Sequence, residues 1–314
     1  ETFVVDKRSW NCEIGKGFDN AENGERSPFL FKGPVARFRL PAVDGASSGD
    51  LKLVSGDGGE VLIMWSPPHR LRGIPIYQFI HFLDEVIHHE KSWVCMDSVE
   101  KKAGCRGRNM FDACEHMIMP EVACFDASYA ELRTDWGPPD VFVSHVWAES
   151  VGVTRAAIQK LATTLQQQGS CVSNVLSSAE STSDGPRIWF CTACNNQFRV
   201  KYELGNNVLQ SPFAEVLQTD TCSTAVIVSP LRALERKWCT FEFCFAGARD
   251  KEVLLLTEDG VAQEGQVTPQ ALHDLAKRLV HFDCRQATCT DPGDGRLIDE
   301  AVCAMGGYET LTGN

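Results

Sequence analysis

Asp140-Val-Phe-Val-Ser-His-Val-Trp-Ala-Glu149 is the stretch from which the fold of this chain is read. An acidic residue opens it, an apolar run from Val141 to Ser144 follows, and the run ends in a polar cluster. Three apolar residues closed by a serine are too few for a helix and suit a strand buried on both faces. Outward from this strand, towards the C-terminus, the same alternation repeats. A helical pattern covers Thr154 to Gln168, and a strand is expected from Arg187 to Ala193. A polar loop, Asn195 to Asn207, precedes a short helix near Pro212 to Leu217. Ala225 to Val228 reads as a continuous apolar strand, Leu231 to Ala248 as a helix, and Val253 to Thr257 as another buried strand. Pro269 to Leu279 is helical, with Thr268 as its N-cap. Val280 to Asp283 is expected as a last strand, and Arg296 to Met305 as a last helix.

Alternating strands and helices with right-handed crossovers imply a parallel sheet covered on both faces. The expected fold is α/β, a flavodoxin-like doubly wound parallel five-stranded sheet. In such sheets, sites lie beyond the carboxyl ends of the strands, here the loops after Val143, Ala193 and Val228. Towards the N-terminus the character changes twice. Residues 76–136 form a helical lead-in: Ile76, Phe79, Ile80, Leu83 and Ile87 recur at helical spacing, predicting a helix over about 75 to 92. A second helix is expected from Met110 to Met119, stopped by Pro120. Residues 1–75 read as a loop-rich extension with short strands at Val35 to Leu40, Leu51 to Val54 and Val61 to Trp65, separated by Gly-rich turns. The α/β unit then occupies 137–314.

The 314 residues are 43% hydrophobic and 23% charged, the balance of a globular protein. A net charge of −12 excludes a chain that wraps nucleic acid through its phosphates. No apolar run reaches the roughly 18 residues needed for a transmembrane helix. Fourteen cysteines are spread along the chain, many in apolar runs, as expected of reduced thiols acting as small hydrophobes. The expected setting is intracellular and reducing, cytoplasmic first, with an organelle after removal of a presequence as the alternative.

Four constellations carry the candidate chemistry. Ser144, His145 and Glu149 stand at the end of the first strand. As sequence neighbours in an extended segment, Ser144 and His145 point to opposite sides and make a poor nucleophile–base pair; Ser144 as a turn cap and Trp147 as a packing residue is the plainer reading. In Arg236 to Ala248, Trp238, Phe241 and Phe245 form an apolar stripe, and Glu242 lies beside it. A carboxyl so flanked is partly desolvated and a candidate for catalysis, against the alternatives of a solvated helix-face Glu or one paired with Arg236 or Arg249. Cys191 and Cys194 form a lone CxxC expected within or at the end of a strand, with no second pair to complete a zinc site. Asn195, Asn196 and Gln197 follow, three amides that bind a polar ligand or order the loop. Cys95, Cys105, Cys114 and Cys124 show twin nine-residue gaps, interrupted by Pro120. His81, His88 and His89 share a helix without a carboxylate set, so no metal site is expected. No phosphate-binding glycine motif is present.

Together, Asp140-Val-Phe-Val-Ser144, Ala225-Val-Ile-Val-Ser229 and Arg236-Lys-Trp-Cys-Thr-Phe-Glu242 resemble the TIR domain family. The W-C-x-x-E spacing is similar to that of plant-type members. The V-F-V-S-H-x-W-x-E opening and C-x-x-x-N-N-Q segment look most like a group of protist TIR-like proteins. The resemblance covers about 110 to 314 and implies two functions. One is a protein-interaction or assembly module, working through protein partners or self-association, with no cofactor required. The other is an NAD+ glycohydrolase that cleaves the nicotinamide–ribose bond. There Glu242 is the inherited catalytic carboxylate, and Ser144, His145, Trp147, Asn195, Asn196 and Trp238 are the candidate nucleotide contacts. The loop from Asn195 to Asn207 would be the family's BB loop. Val146 stands where plant-type domains often carry Arg, and His145 where an aromatic is usual.

Overall fold

A computed structural model describes residues 66–89, 108–123, 125–132, 136–167 and 185–309, and the backbone alone of 12–15, 35–39, 50–55, 61–65 and 168–173. β1 (Cys12–Gly15), β2 (Val35–Arg39), β3 (Asp50–Ser55) and β4 (Val61–Ser66) form an antiparallel four-stranded meander. The last three fall on the apolar runs that predict strands; β1 lies in a stretch without such a run.

The second sheet contains β5 (Ile74–Pro75), β6 (Val141–Ser144), β7 (Arg187–Phe190), β8 (Thr224–Val228) and β9 (Glu252–Leu256), in the order β5-β7-β6-β8-β9. β7, β6, β8 and β9 are parallel, and β5 joins β7 antiparallel at the edge. The fold is therefore α/β with a five-stranded, mostly parallel sheet. The fifth strand is a correction to the sequence reading. It comes from Ile74–Pro75, not from Val280 to Asp283, which end a helix and enter a turn. A proline is tolerated in β5 because an edge strand leaves one side of its backbone unpaired.

The helices are α1 (Ile76–His88), α2 (Met110–Ala113), α3 (Met119–Val122), α4 (Tyr129–Leu132), α5 (Val151–Ser173), α6 (Cys191–Cys194), α7 (Val200–Leu204), α8 (Pro212–Leu217), α9 (Pro230–Ala233), α10 (Lys237–Gly247), α11 (Pro269–Val280) and α12 (Pro292–Ala304). Pro120 does not stop the second helical stretch. A π-helical segment, Cys114–Ile118, joins α2 to α3 and places Pro120 in the first turn of α3, where its missing N–H costs little. The helix expected over 231–248 is two helices. Arg236 between them is extended and bridges Thr288. The strand expected to reach Ala193 ends at Phe190, and Cys191–Cys194 turn into α6.

Side-chain alternation explains how the sheet is covered. Phe142 and Trp189 are register partners whose rings stack at 5.2 Å, and Phe213 of α8 packs on both. Phe213 also meets Trp238 of α10. On the other face, Phe190 meets Phe79 of α1 at 4.4 Å, and α1 packs along α5. Every residue of β6 and β8 is buried, as helices on both faces require. α1 and parts of α2 to α4 contribute to the same core as β6 to β8. No helix among the described residues is long and apolar enough to cross a membrane.

Candidate functional site

The period of two along β6 sends Ser144 to the face of Phe142 and His145 to the opposite face. Ser144 Oγ donates a 2.5 Å hydrogen bond to Glu242 Oε2 on α10. His145 stacks on Phe190, with centroids 3.8 Å apart, and its Nε2 lies 3.3 Å from Thr192 Oγ1. Ser144 and His145 thus diverge, as their adjacency predicts, and do not form a hydrolase pair. Trp147 donates its indole N–H to Cys191 Sγ at 3.3 Å, and the same sulfur lies 4.0 Å from both nitrogens of His145. Cys239 Sγ contacts the His145 carbonyl at 3.3 Å.

Glu242 is 6% exposed. It does not pair with Arg236, which reaches Thr290, or with Arg249, which lies over the Phe245 ring. Burial pushes its carboxyl up to about 8, with the Ser144 hydrogen bond pulling the other way. Burial also pulls His145 down to about 3, so its ring is neutral. Burial and then the nearby Glu242 carboxyl push the Cys239 thiol up to about 12, and the Cys191 thiol shifts in the same direction for the same causes. The centre is a set of neutral groups: a protonated carboxyl, a hydroxyl, two thiols and an uncharged imidazole.

The CxxC corrects the expected placement, since α6 does open directly after β7. The thiols are nevertheless the reverse of a redox pair. Burial pushes Cys194 up to about 12, and Cys194 Sγ accepts the Phe190 N–H. Among the described residues, no cluster of His, Cys, Asp or Glu could hold a metal ion. Cys114 is a free, buried thiol, and Cys95, Cys105 and Cys124 lie outside the described residues.

The amides after the CxxC order the loop. Asn196 Nδ2 donates to Asp126 at 2.8 Å, and its Oδ1 accepts from the Phe198 N–H. Gln197 Nε2 donates to the carbonyls of Cys191, Thr192 and Asn195. Asn195 is 2% exposed, with its Oδ1 unpartnered. Glu149 pairs with Arg232 at 3.1 Å.

The residues proposed from sequence therefore divide. Ser144, His145, Trp147 and Glu242 meet around Cys191 and Cys239; Asn196 instead ties its loop to Asp126, and Asn195 is buried with its Oδ1 unpartnered. Trp238 belongs elsewhere. Its indole N–H donates to Asp294 of α12 at 3.1 Å, and its ring lines a cavity of about 360 Å³ between α7, α10 and α12. Leu204, Val208 and Leu297 add apolar lining to this cavity, and Lys201, Arg296 and Glu300 add charge; Glu242 is not among its residues.

A second polar centre has no signal in sequence spacing. Arg72, 4% exposed, meets Glu203 at 2.8 Å and Glu131 at 3.8 Å. His69 lies between Glu203, 3.3 Å from Nε2, and Glu215, 3.2 Å from Nδ1. Glu203 and Glu215 lie more than a hundred residues from Arg72 and His69 in the chain, beyond the reach of any local pattern. No protein-family model, curated protein or solved structure matches the chain.

Proposed function

We propose that the α/β unit is a TIR-like interaction or assembly module of flavodoxin-like topology. The topological support is the order of the parallel strands. Numbered among themselves they run 2-1-3-4, the doubly wound order in which the first strand sits at the switch point. The observation that carries the functional reading is the state of Glu242. A carboxylate that stabilises an oxocarbenium-like transition state must be ionised and must face the sugar. Glu242 is sealed by its own chain, protonated at neutral pH, and absent from the cavity beside Trp238. The exposed apolar residues of α11, Leu272, Leu279 and Val280, offer contact surface for such a module.

The alternative is NAD+ glycohydrolysis with Glu242 as the catalytic carboxyl and NAD+ as substrate, not cofactor. One observation favours it: the carboxyl is hydrogen-bonded to Ser144 at the carboxyl end of the first parallel strand, where this topology places chemistry.

One assay separates the two. Nicotinamide release from NAD+ is followed across a wide range of protein concentration, beside Glu242→Gln and Glu242→Ala. The interaction reading expects no release above the uncatalysed background from any of the three. Release by the native chain that disappears in both variants would overturn it in favour of the enzyme.

A further inference from the structure

We infer that the segment from His69 to Arg72 and helix α7 form a proton-operated latch that holds one wall of the Trp238 cavity. The geometry is a cluster of charges joining four separate parts of the chain. His69, Arg70 and Arg72 supply the basic groups from the turn before β5. Glu131 comes from α4, Glu203 from α7 and Glu215 from α8. Arg70 meets Glu215 at 3.1 Å. Arg72 also donates to the carbonyls of Pro67 and Cys194, and Glu203 Oε2 accepts the backbone N–H of Asn196. The start of the Asn195–Asn207 loop and α7 are therefore tied to Arg72 through one carboxylate. Arg199, just before α7, meets Asp126 at 3.1 Å.

The proton on His69 gives the latch its direction. The ring turns Nε2 to Glu203 at 3.3 Å and Nδ1 to Glu215 at 3.2 Å. Protonated, it carries an N–H at both nitrogens and a positive charge between the two carboxylates. Neutral, it carries one N–H only, so one of the two carboxylates meets a lone pair in a largely buried site. The release falls on α7, because Glu203 is the carboxylate that His69 and Arg72 share. Burial works against a charged His69, as does Arg72. Glu203 and Glu215 outweigh both, so the imidazole titrates above its ordinary value. Glu203 itself is held down at about 2; burial opposes its charge, but Arg72 and His69 prevail.

Lys201, Leu204 and Gly205 line the cavity opposite Trp238, so loosening α7 widens or opens it. The latch is closed below the His69 pKa and released above it. It goes beyond the interaction reading and does not depend on whether Glu242 reacts.

Amide hydrogen exchange of the full chain, read over residues 196–206 at pH 5.5 and pH 8.5 and corrected for intrinsic rates, tests it. The native chain is expected to lose protection over these residues at the higher pH, where the raised His69 titration is complete. His69→Gln should be poorly protected at both pH values. Glu215→Gln removes the competing carboxylate, lets the neutral imidazole keep its one N–H on Glu203, and should hold its protection at pH 8.5. Equal protection of the native chain at the two pH values would overturn the latch. So would a loss in Glu215→Gln as large as in the native chain, and this variant decides the matter if His69→Gln does not fold.

Discussion

At the scale of single residues, the environment of Glu242 makes a prediction about stability that is independent of any activity. Its folded pKa of about 8 lies above the ordinary carboxyl value of 4.5. Between those two values the folded chain holds a proton that the unfolded chain has released. Stability contributed by this group is therefore fully present below about 4.5 and declines as pH rises towards 8. Glu242→Gln keeps the shape, accepts the Ser144 hydrogen bond and cannot ionise. The variant is expected to melt a few degrees above the native protein at pH 8 and close to it at pH 5, with a flatter dependence of Tm on pH between. Melting curves across that range decide it, and a native Tm that does not fall relative to the variant would refute the buried neutral carboxyl. Glu242→Ala should be destabilised throughout, because it opens a void and leaves the Ser144 hydroxyl without its acceptor. Glu242 was legible in the sequence because aromatic residues flank it at helical spacing. Its partner was not, since Ser144 lies 98 residues away and only the sheet brings the two together.

At the scale of elements, the edge strand β5 depends on the close approach of two glycines. Gly73 and Gly137 exchange backbone hydrogen bonds of 2.8 and 3.0 Å. A Cβ on Gly73 would come within 2.7 Å of the Gly137 carbonyl oxygen and 2.9 Å of Pro139 Cα, all backbone that cannot rotate away. Gly73→Ala is thus expected to cost about 1–3 kcal/mol, the usual range for overpacking. Gly152→Ala, in α5, meets nothing nearer than Ser150 Oγ at 3.5 Å and should gain about 0.5 kcal/mol from reduced unfolded-state freedom. Urea midpoints that move in the same direction for both would refute this account of the edge. The same strand shows where sequence reading ran out. Val141 to Ser144, Ala225 to Val228 and Val253 to Thr257 announce themselves as apolar runs between turns. Ile74–Pro75 is only two residues long and contains a proline, so nothing local marks it as a strand. Val280 to Asp283 looked like a strand from its apolar start. The amphipathic helix before it simply continues through Val280, and Phe282 packs edge-on against Phe243. Pro120 misled for a related reason: a local change of helix type absorbed the residue that ordinarily ends one.

At the scale of the whole molecule, the two buried polar centres and the net charge all act on the dependence of stability on pH. Glu203 contributes stability that is present above the unfolded carboxyl value and lost as pH falls towards about 2. His69, with its folded pKa raised, contributes stability that is present below 6.5 and lost as pH rises through its folded value. Glu242 declines over the rising range from 4.5 to about 8. The chain carries −12 at pH 7 against a pI near 5.2, so self-repulsion also grows on the alkaline side. Only the acid limb opposes these three. The Tm of the native chain is therefore expected to be highest near pH 5 and to fall by several degrees by pH 8.5, with a steeper fall below pH 4. The alkaline fall should shrink in Glu242→Gln, and shrink further when Glu215→Gln is combined with it, because the two sites share no partner and their effects should add. Raising the salt concentration separates the remaining contribution. Screening weakens the repulsion of surface charge but leaves buried titrations largely untouched. A native Tm that climbs from pH 5 to pH 8 relative to that of Glu242→Gln would show that the carboxyl at position 242 is ionised in the folded chain. The ionised carboxylate required by the glycohydrolase reading would then be in place.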